Sequence, residues 1–462
     1  MPGAEINAEE PLMVTRVPGP KSHVWLQRLA RVESPDTTYV GASFPLVWEA
    51  ARGVNVWDVD GNRFVDLTSA FGVAGWGHAH PRLVDAMQRQ AADLMHGMGD
   101  VHPPRVKVEL AERLIELGPP GMARVVFGLS GSDAVEAALK TARIATGRRG
   151  VLAFSGGYHG LGYGALNATS GRLFRRRFLD QLGGFVEHLP YPSCYRCPWG
   201  LERGTCSVEC LSRLRARVIH AAERNSVGAV LVEPIQGRGG ERIPPRGFLR
   251  MLREVCDHTG MVLILDEIYT GFGRVGRAFA CEEEGVTPDL ICLGKGLTGG
   301  FPLSACLGRE AVMEAWPRSR GEAIHTTTFL GHPVGCAVGL AALGLFEEGL
   351  DEERRFLPAL DWAAELEGWA EAAGRLPGVG EIRGAGAMWG IEMVDPSTGA
   401  PDGDRAWAVV LEMMARGYLV LPSGASGEVV SLTPPFVMPS ELRRASLAAL
   451  RDAICAVAVQ VD

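Results

Sequence analysis

Two runs decide how this chain is read: Met261-Val262-Leu263-Ile264-Leu265-Asp266-Glu267 and Asp289-Leu290-Ile291-Cys292-Leu293-Gly294-Lys295-Gly296. Each is a short, continuous apolar stretch that stops at a charged residue or a glycine-rich turn, the pattern of a strand buried on both faces. Working outward, similar runs lie at 123–128, 150–154 and 228–232, and amphipathic, helix-length stretches lie between several of them, at 133–145 and 248–258. Apolar strands alternating with helices predict an α/β fold, with a mainly parallel sheet covered by helices on both faces.

The flanks read differently. Residues 22–32 suit a helix, and 45–67 alternate around the turn dipeptide Asp60-Gly61, which predicts a small β-meander. Beyond about 347 come an Ala/Glu/Leu-rich helix, short strands at 384–394 and 417–421, and a final helix over 440–457. The expected organisation is an N-terminal segment (1–75) packing with the small domain, a large domain (76–346), and a smaller α+β domain (347–462).

The composition narrows the function classes. With 46 Lys and Arg against 54 Asp and Glu, the net charge of −8 gives no global attraction to nucleic acid or anionic lipid. The densest basic run, Arg172, Arg175, Arg176 and Arg177, reads as a solvated face. No apolar stretch reaches the ~18 residues of a membrane span, and the acidic N-terminus (Glu5, Glu9, Glu10) lacks a secretion-signal pattern. Ten cysteines are too few for a disulfide scaffold, so a cytoplasmic setting is expected. Four of them, Cys194, Cys197, Cys206 and Cys210, are spaced as a tetrahedral structural zinc site would be, with free thiols or disulfides as the alternatives.

In open α/β sheets, ligands gather at the carboxyl ends of the strands. Here five strand ends deliver Ser130-Gly131-Ser132, Gly157-Tyr158-His159-Gly160, Glu233, Asp266-Glu267 and Gly294-Lys295-Gly296. The first opens a helix, where free N–H groups and the helix dipole favour an anion, although Ser132 or Asp133 could equally serve as a cap. A lysine held in a tight turn at a strand end is partly desolvated, which lowers its pKa and frees its amine to attack a carbonyl. A carboxylate one strand–helix–strand unit upstream, Asp266, suits a cofactor pyridine nitrogen. Tyr158 could stack on such a ring, and Ile268 could press on its other face. Phosphate cup, stacking aromatic, acid and lysine together suggest pyridoxal phosphate.

On these residues, and on Trp57-Asp58-Val59-Asp60-Gly61-Asn62, Gly77-His78-Ala79-His80-Pro81, Glu233-Pro234-Ile235-Gln236-Gly237, Asp266-Glu267-Ile268-Tyr269-Thr270-Gly271 and Thr327-Thr328-Phe329, the chain resembles the class III (ω-type) aminotransferases over nearly its whole length. These are fold-type I pyridoxal-phosphate enzymes that include the 4-aminobutyrate and ornithine aminotransferases. The resemblance implies that Gly131 and Ser132 hold the phosphate, that Tyr158, His159 and Ile268 surround the ring, and that Asp266 pairs with its nitrogen. It implies that Lys295 forms the Schiff base and then carries the proton. Thr328 would reach the phosphate of the neighbouring subunit in a homodimer with shared active sites. Glu233 would lie beside the substrate and Arg383 would grip its carboxylate; Phe71 stands in a segment that flanks substrate in relatives. Tyr269 replaces a glutamine common beside the cofactor hydroxyl, and Leu161 stands near where 4-aminobutyrate-type members carry an arginine for a second carboxylate.

The implied activity moves an amino group from an amino acid to a keto acid. Two alternatives share these residues: an amino-acid racemase or epimerase on the same fold, and a non-catalytic regulator with the cysteine cluster as a metal sensor. No nucleic-acid or membrane partner is expected.

Overall fold

The computed structural model describes residues 7–41, 43–224 and 226–460. The chain divides into two compact units, one made of Arg82–Leu357 and the other of Met1–Pro81 together with Pro358–Asp462. The breaks thus fall after Pro81 and Leu357 rather than at 75 and 346. The loop after residue 348 stays with the larger unit because its backbone is tied down there: Ala278 N–H donates to Arg354 O and Phe356 N–H to Gly276 O, both at 3.0 Å. Phe356 is fully buried.

The larger unit is built on a seven-stranded sheet: β1 (Met122–Gly128), β2 (Gly150–Phe154), β3 (Val186–Leu189), β4 (Val227–Val232), β5 (Val262–Asp266), β6 (Leu290–Leu293) and β7 (Ser304–Arg309). Their order across the sheet is β1-β7-β6-β5-β4-β2-β3. The five strands from β6 to β3 run parallel. Only β7 is antiparallel to its neighbours β1 and β6. Every residue of β4, β5 and β6 is buried, as strands covered on both faces require.

Helix α1 (Gly131–Thr146) packs on this sheet through Ala134, Val135, Ala138 and Ala142, against Leu231, Ile264 and Cys292. Its small side chains allow a close approach. Helices α2 (Glu209–Arg224) and α3 (Phe248–Thr259) follow β3 and β4.

In the other unit, the antiparallel meander Trp48–Arg52, Asn55–Asp58 and Arg63–Asp66 gains a fourth, parallel strand, Tyr418–Leu419. A second, antiparallel sheet holds Val379–Ala385, Met388–Met393, Val429–Leu432 and Leu421–Ser423. The C-terminal helix spans Ser440–Gln460. Among the described residues no helix is long and apolar enough to cross a membrane.

Candidate active site

The β1 end shows how the anion cup is made. The cap of α1 is Ser130, not Ser132 or Asp133: the Ser130 side chain accepts from Asp133 N–H while the Asp133 carboxylate accepts from Ser130 N–H, a reciprocal capping box. Gly131 and Ser132, the first two helical residues, therefore present backbone N–H groups that the helix itself leaves unpaired. A side chain at Gly131 would meet Ile268, with its Cβ only 2.8 Å from Ile268 Cδ1. The loop after β2 closes over the cup, where Ser132 Oγ accepts from Gly162 N–H at 3.1 Å. Gly160, at φ +116°, comes so near that a Cβ there would lie 2.7 Å from Ser132 Cβ.

At the end of β5, Asp266 and Glu267 part company. Glu267 is fully buried and accepts from Ala280 N–H (2.7 Å), Cys281 N–H (2.9 Å) and the Thr270 hydroxyl (2.9 Å), so it anchors the following loop. Asp266 instead faces His159: its Oδ2 lies 2.7 Å from His159 Nδ1, and its Oδ1 accepts from Ile268 N–H at 3.1 Å. Burial depresses the His159 pKa, but the hydrogen bond and charge of Asp266, with that of Glu233, outweigh it, so the net shift is upward. The other ring nitrogen, Nε2, is buried without a hydrogen-bond partner.

Glu233, at the end of β4, is buried and accepts from Tyr158 N–H (2.9 Å) and Gly237 N–H (3.1 Å). Burial, reinforced by Asp266 and opposed by His159, raises its pKa to about 7. This carboxyl is therefore poised to exchange a proton near neutral pH.

Lys295 begins a single 3-10 turn after β6 at φ +43°, a left-handed conformation costly for a residue with a side chain. Burial lowers its pKa to about 8, although Asp266 and Glu233 favour the ammonium. Its Nζ lies 3.5 Å from the centre of the Tyr269 ring. That ring also packs on Gly237, where a Cβ would come within 2.2 Å of Tyr269 Cδ1.

One unit thus carries Gly131, Ser132, Tyr158, His159, Glu233, Asp266, Ile268, Tyr269, Lys295 and Thr328. Thr328 is exposed in a turn, beside a half-exposed Phe329. The other two expected residues belong to the second unit. Phe71 is 57% exposed and ends three successive non-glycine residues with positive φ, Ser69, Ala70 and Phe71. Arg383 is largely buried on strand Val379–Ala385 and ion-paired with Glu381 (2.9 Å) and Glu392 (2.7 Å).

Sequence reasoning missed Arg238. Its guanidinium carbon lies 6.0 Å from the Tyr158 ring centre and 5.9 Å from that of Phe174, and its charge acts on Lys295. Its position right after the Glu233–Gly237 run was the available signal.

The structural zinc expected at Cys194, Cys197, Cys206 and Cys210 is not supported. Among the described residues no group of three or more His, Cys, Asp or Glu is placed to hold a metal ion. Cys206 is engaged locally: its thiol donates to Glu209 Oε2 (3.1 Å) and accepts from Val208 N–H (3.2 Å) at the start of α2. Cys210 is buried on that helix, and burial, then the neighbouring thiols, pushes its pKa up to about 11.

The donor set fits pyridoxal phosphate: an unpaired helix terminus for the phosphate, a buried carboxylate for the ring nitrogen, and a lysine with a lowered pKa for the aldehyde. The comparisons agree. Residues 39–454 match the family Aminotransferase class-III. An alanine/serine racemase of Pyrococcus horikoshii is 35% identical over 455 residues, covering 96% of this chain and 93% of its own. An acetylornithine aminotransferase of Methanopyrus kandleri is 38% identical over 414 residues, covering 89% of this chain and 95% of its own. The solved structure of an amine transaminase from an uncultivated Pseudomonas species, in its PLP-bound form, superposes with a TM-score of 0.83 at 31% identity, covering 92% of this chain and 99% of that one. With its lysine and acid on adjoining strand ends and an anion cup at the end of β1, the chain belongs to the class III aminotransferases, pyridoxal-phosphate-dependent enzymes of fold type I.

Proposed function

We propose that Lys295 is the residue that holds the cofactor covalently and carries the proton during transfer of an amino group from an amino acid to a keto acid. The observation that carries this reading is the juxtaposition at adjoining strand ends of a lysine with its pKa lowered to about 8 and the buried Asp266–His159 pair. Pyridoxal phosphate, when bound, supplies an electron sink for the substrate's α-carbon. Gly131 and Ser132 would hold its phosphate from the α1 terminus, and Asp266, aligned by His159 and the Ile268 N–H, would hold the ring nitrogen in its protonated form. Tyr158 and Ile268 flank the ring. The Lys295 amine would be the base that takes the proton from the substrate's α-carbon and the acid that gives it back. Tyr269 offers its ring face to the freed ammonium.

Glu233, buried at the end of β4 with its pKa raised to about 7, would be a second proton-bearing group beside the substrate. This supports a second reading, racemisation, in which the proton returns to the substrate carbon; two relatives bear racemase names. Thr328, exposed in its turn, reaches the phosphate of a second copy, so the working unit is a homodimer with shared sites, placed in the cytoplasm. The assignment of Lys295 is tested by borohydride reduction of the PLP-loaded protein followed by peptide mass analysis. The cofactor mass is expected on the peptide containing Lys295; attachment to any other lysine, or none, contradicts it.

A further inference from the structure

Arg383, the residue expected to grip the substrate carboxylate, is held by two carboxylates of its own unit, at 2.9 and 2.7 Å. Arg238 is in the opposite situation. It is exposed, and among the described residues it makes neither an ion pair nor a hydrogen bond; its contacts are the faces of Tyr158 and Phe174. Those two rings meet edge to face, with centres 5.4 Å apart and planes at 67°. The guanidinium is thus positioned by aromatic surfaces while its N–H donors remain uncommitted.

The backbone beneath Arg238 is fastened to the catalytic centre. Glu233 accepts from Gly237 N–H, and the same carboxyl accepts from Tyr158 N–H. Gly237 lies flat against the Tyr269 ring, the ring on which Lys295 Nζ rests at 3.5 Å. Arg238 therefore directly follows a backbone position packed on the ring that seats the reactive amine. Phe174 belongs to the helix Arg172–Arg175, so Arg238 stands next to the densest basic run of the chain, Arg172, Arg175, Arg176 and Arg177. Clustered positive charge attracts an anion, and a planar guanidinium with free donors matches a carboxylate in bidentate fashion.

We infer that Arg238 is the specificity-determining residue that receives the carboxylate of the amino-acid substrate. The inference rests on the reading of Lys295 as the reacting amine. It gives the basic run a steering role and leaves Arg383 as an internal ion pair of its own unit.

The test uses holoenzyme and glutarate, a dicarboxylate with no amino group to transfer, with binding measured by calorimetry. Arg238→Gln is expected to weaken glutarate binding by about 10- to 100-fold, the loss of one or two charge-assisted hydrogen bonds. Arg238→Lys, which keeps the charge but not the planar fork, should recover part of that loss, which a purely packing role over Tyr158 and Phe174 would not produce. PLP affinity should be the same in both variants. The inference is overturned if the wild-type protein does not bind glutarate, if Arg238→Gln binds it as tightly as wild type, or if Arg383→Gln alone weakens it. It is overturned equally if Arg238→Gln loses PLP affinity in parallel, which would make the arginine a cofactor ligand. Failure of the underlying reading looks different: no amino acid would change the cofactor's absorption in the wild-type enzyme, and the calorimetric comparison would stand on its own.

Discussion

Lys295 combines a left-handed backbone, a partly buried amine and an aromatic seat, and each follows from its place in the turn after β6. Gly294 and Gly296 flank it where Cβ atoms would crowd Ile268 (3.3 Å) and Phe272 (3.2 Å), so the turn is tight. The consequence is a pH dependence for capture of PLP by the apoenzyme. The attacking form is the neutral amine, so the second-order rate should rise about tenfold per pH unit at low pH and level off above about 8. An ordinary lysine would keep the rate rising toward pH ~10.4, and stopped-flow absorbance distinguishes the two. Asp266 makes the second prediction at this scale. Asp266→Asn keeps the size and the His159 contact but removes the charge that holds the ring nitrogen protonated, so kcat should fall by about 10²–10³-fold with cofactor still bound. An unchanged kcat would remove Asp266 from the mechanism.

Elements bring these residues together because parallel strands end on one edge of the sheet, and this part was readable from sequence. The runs at 123–128, 150–154, 228–232, 261–265 and 289–293 are the strands β1, β2, β4, β5 and β6, and the candidate site residues stand at or just beyond their ends. Sequence could not separate Asp266 from Glu267, since both follow the same apolar run; only the loop that folds back to donate Ala280 and Cys281 N–H groups makes Glu267 structural. Nor could it place Arg238, whose surroundings, Tyr158 and Phe174, arrive from 64 or more positions away. The cysteine spacing misled because spacing fixes separation along the chain and not the aim of each thiol; Cys206 turns to Glu209 instead. The cup at the α1 terminus gives the prediction at this scale. Gly160→Ala places a Cβ 2.7 Å from Ser132 Cβ at φ +116°, so the loop must lift from the helix. A loss of about 1–3 kcal/mol of stability, with weaker PLP binding, should appear in thermal denaturation and cofactor titration; a variant matching wild type in both would show that the cup tolerates separation.

For the whole molecule, two units share the labour unequally. The unit Arg82–Leu357 holds the cofactor-directed residues, while Phe71 and Arg383 belong to the other. The family resemblance carried the fold and the chemistry through motifs concentrated in the larger unit; substrate recognition is the part it leaves open, and Arg238, where this chain has no motif to follow, is the residue proposed for it. The measurement that bears most directly on the central claim is the visible absorption spectrum of the PLP-loaded protein during single additions of amino acids, followed by a keto acid. The account predicts a cofactor band that converts to the pyridoxamine form with an amino-acid donor and returns with the keto acid. A band that persists while the substrate's optical rotation decays would contradict transamination and establish racemisation in its place.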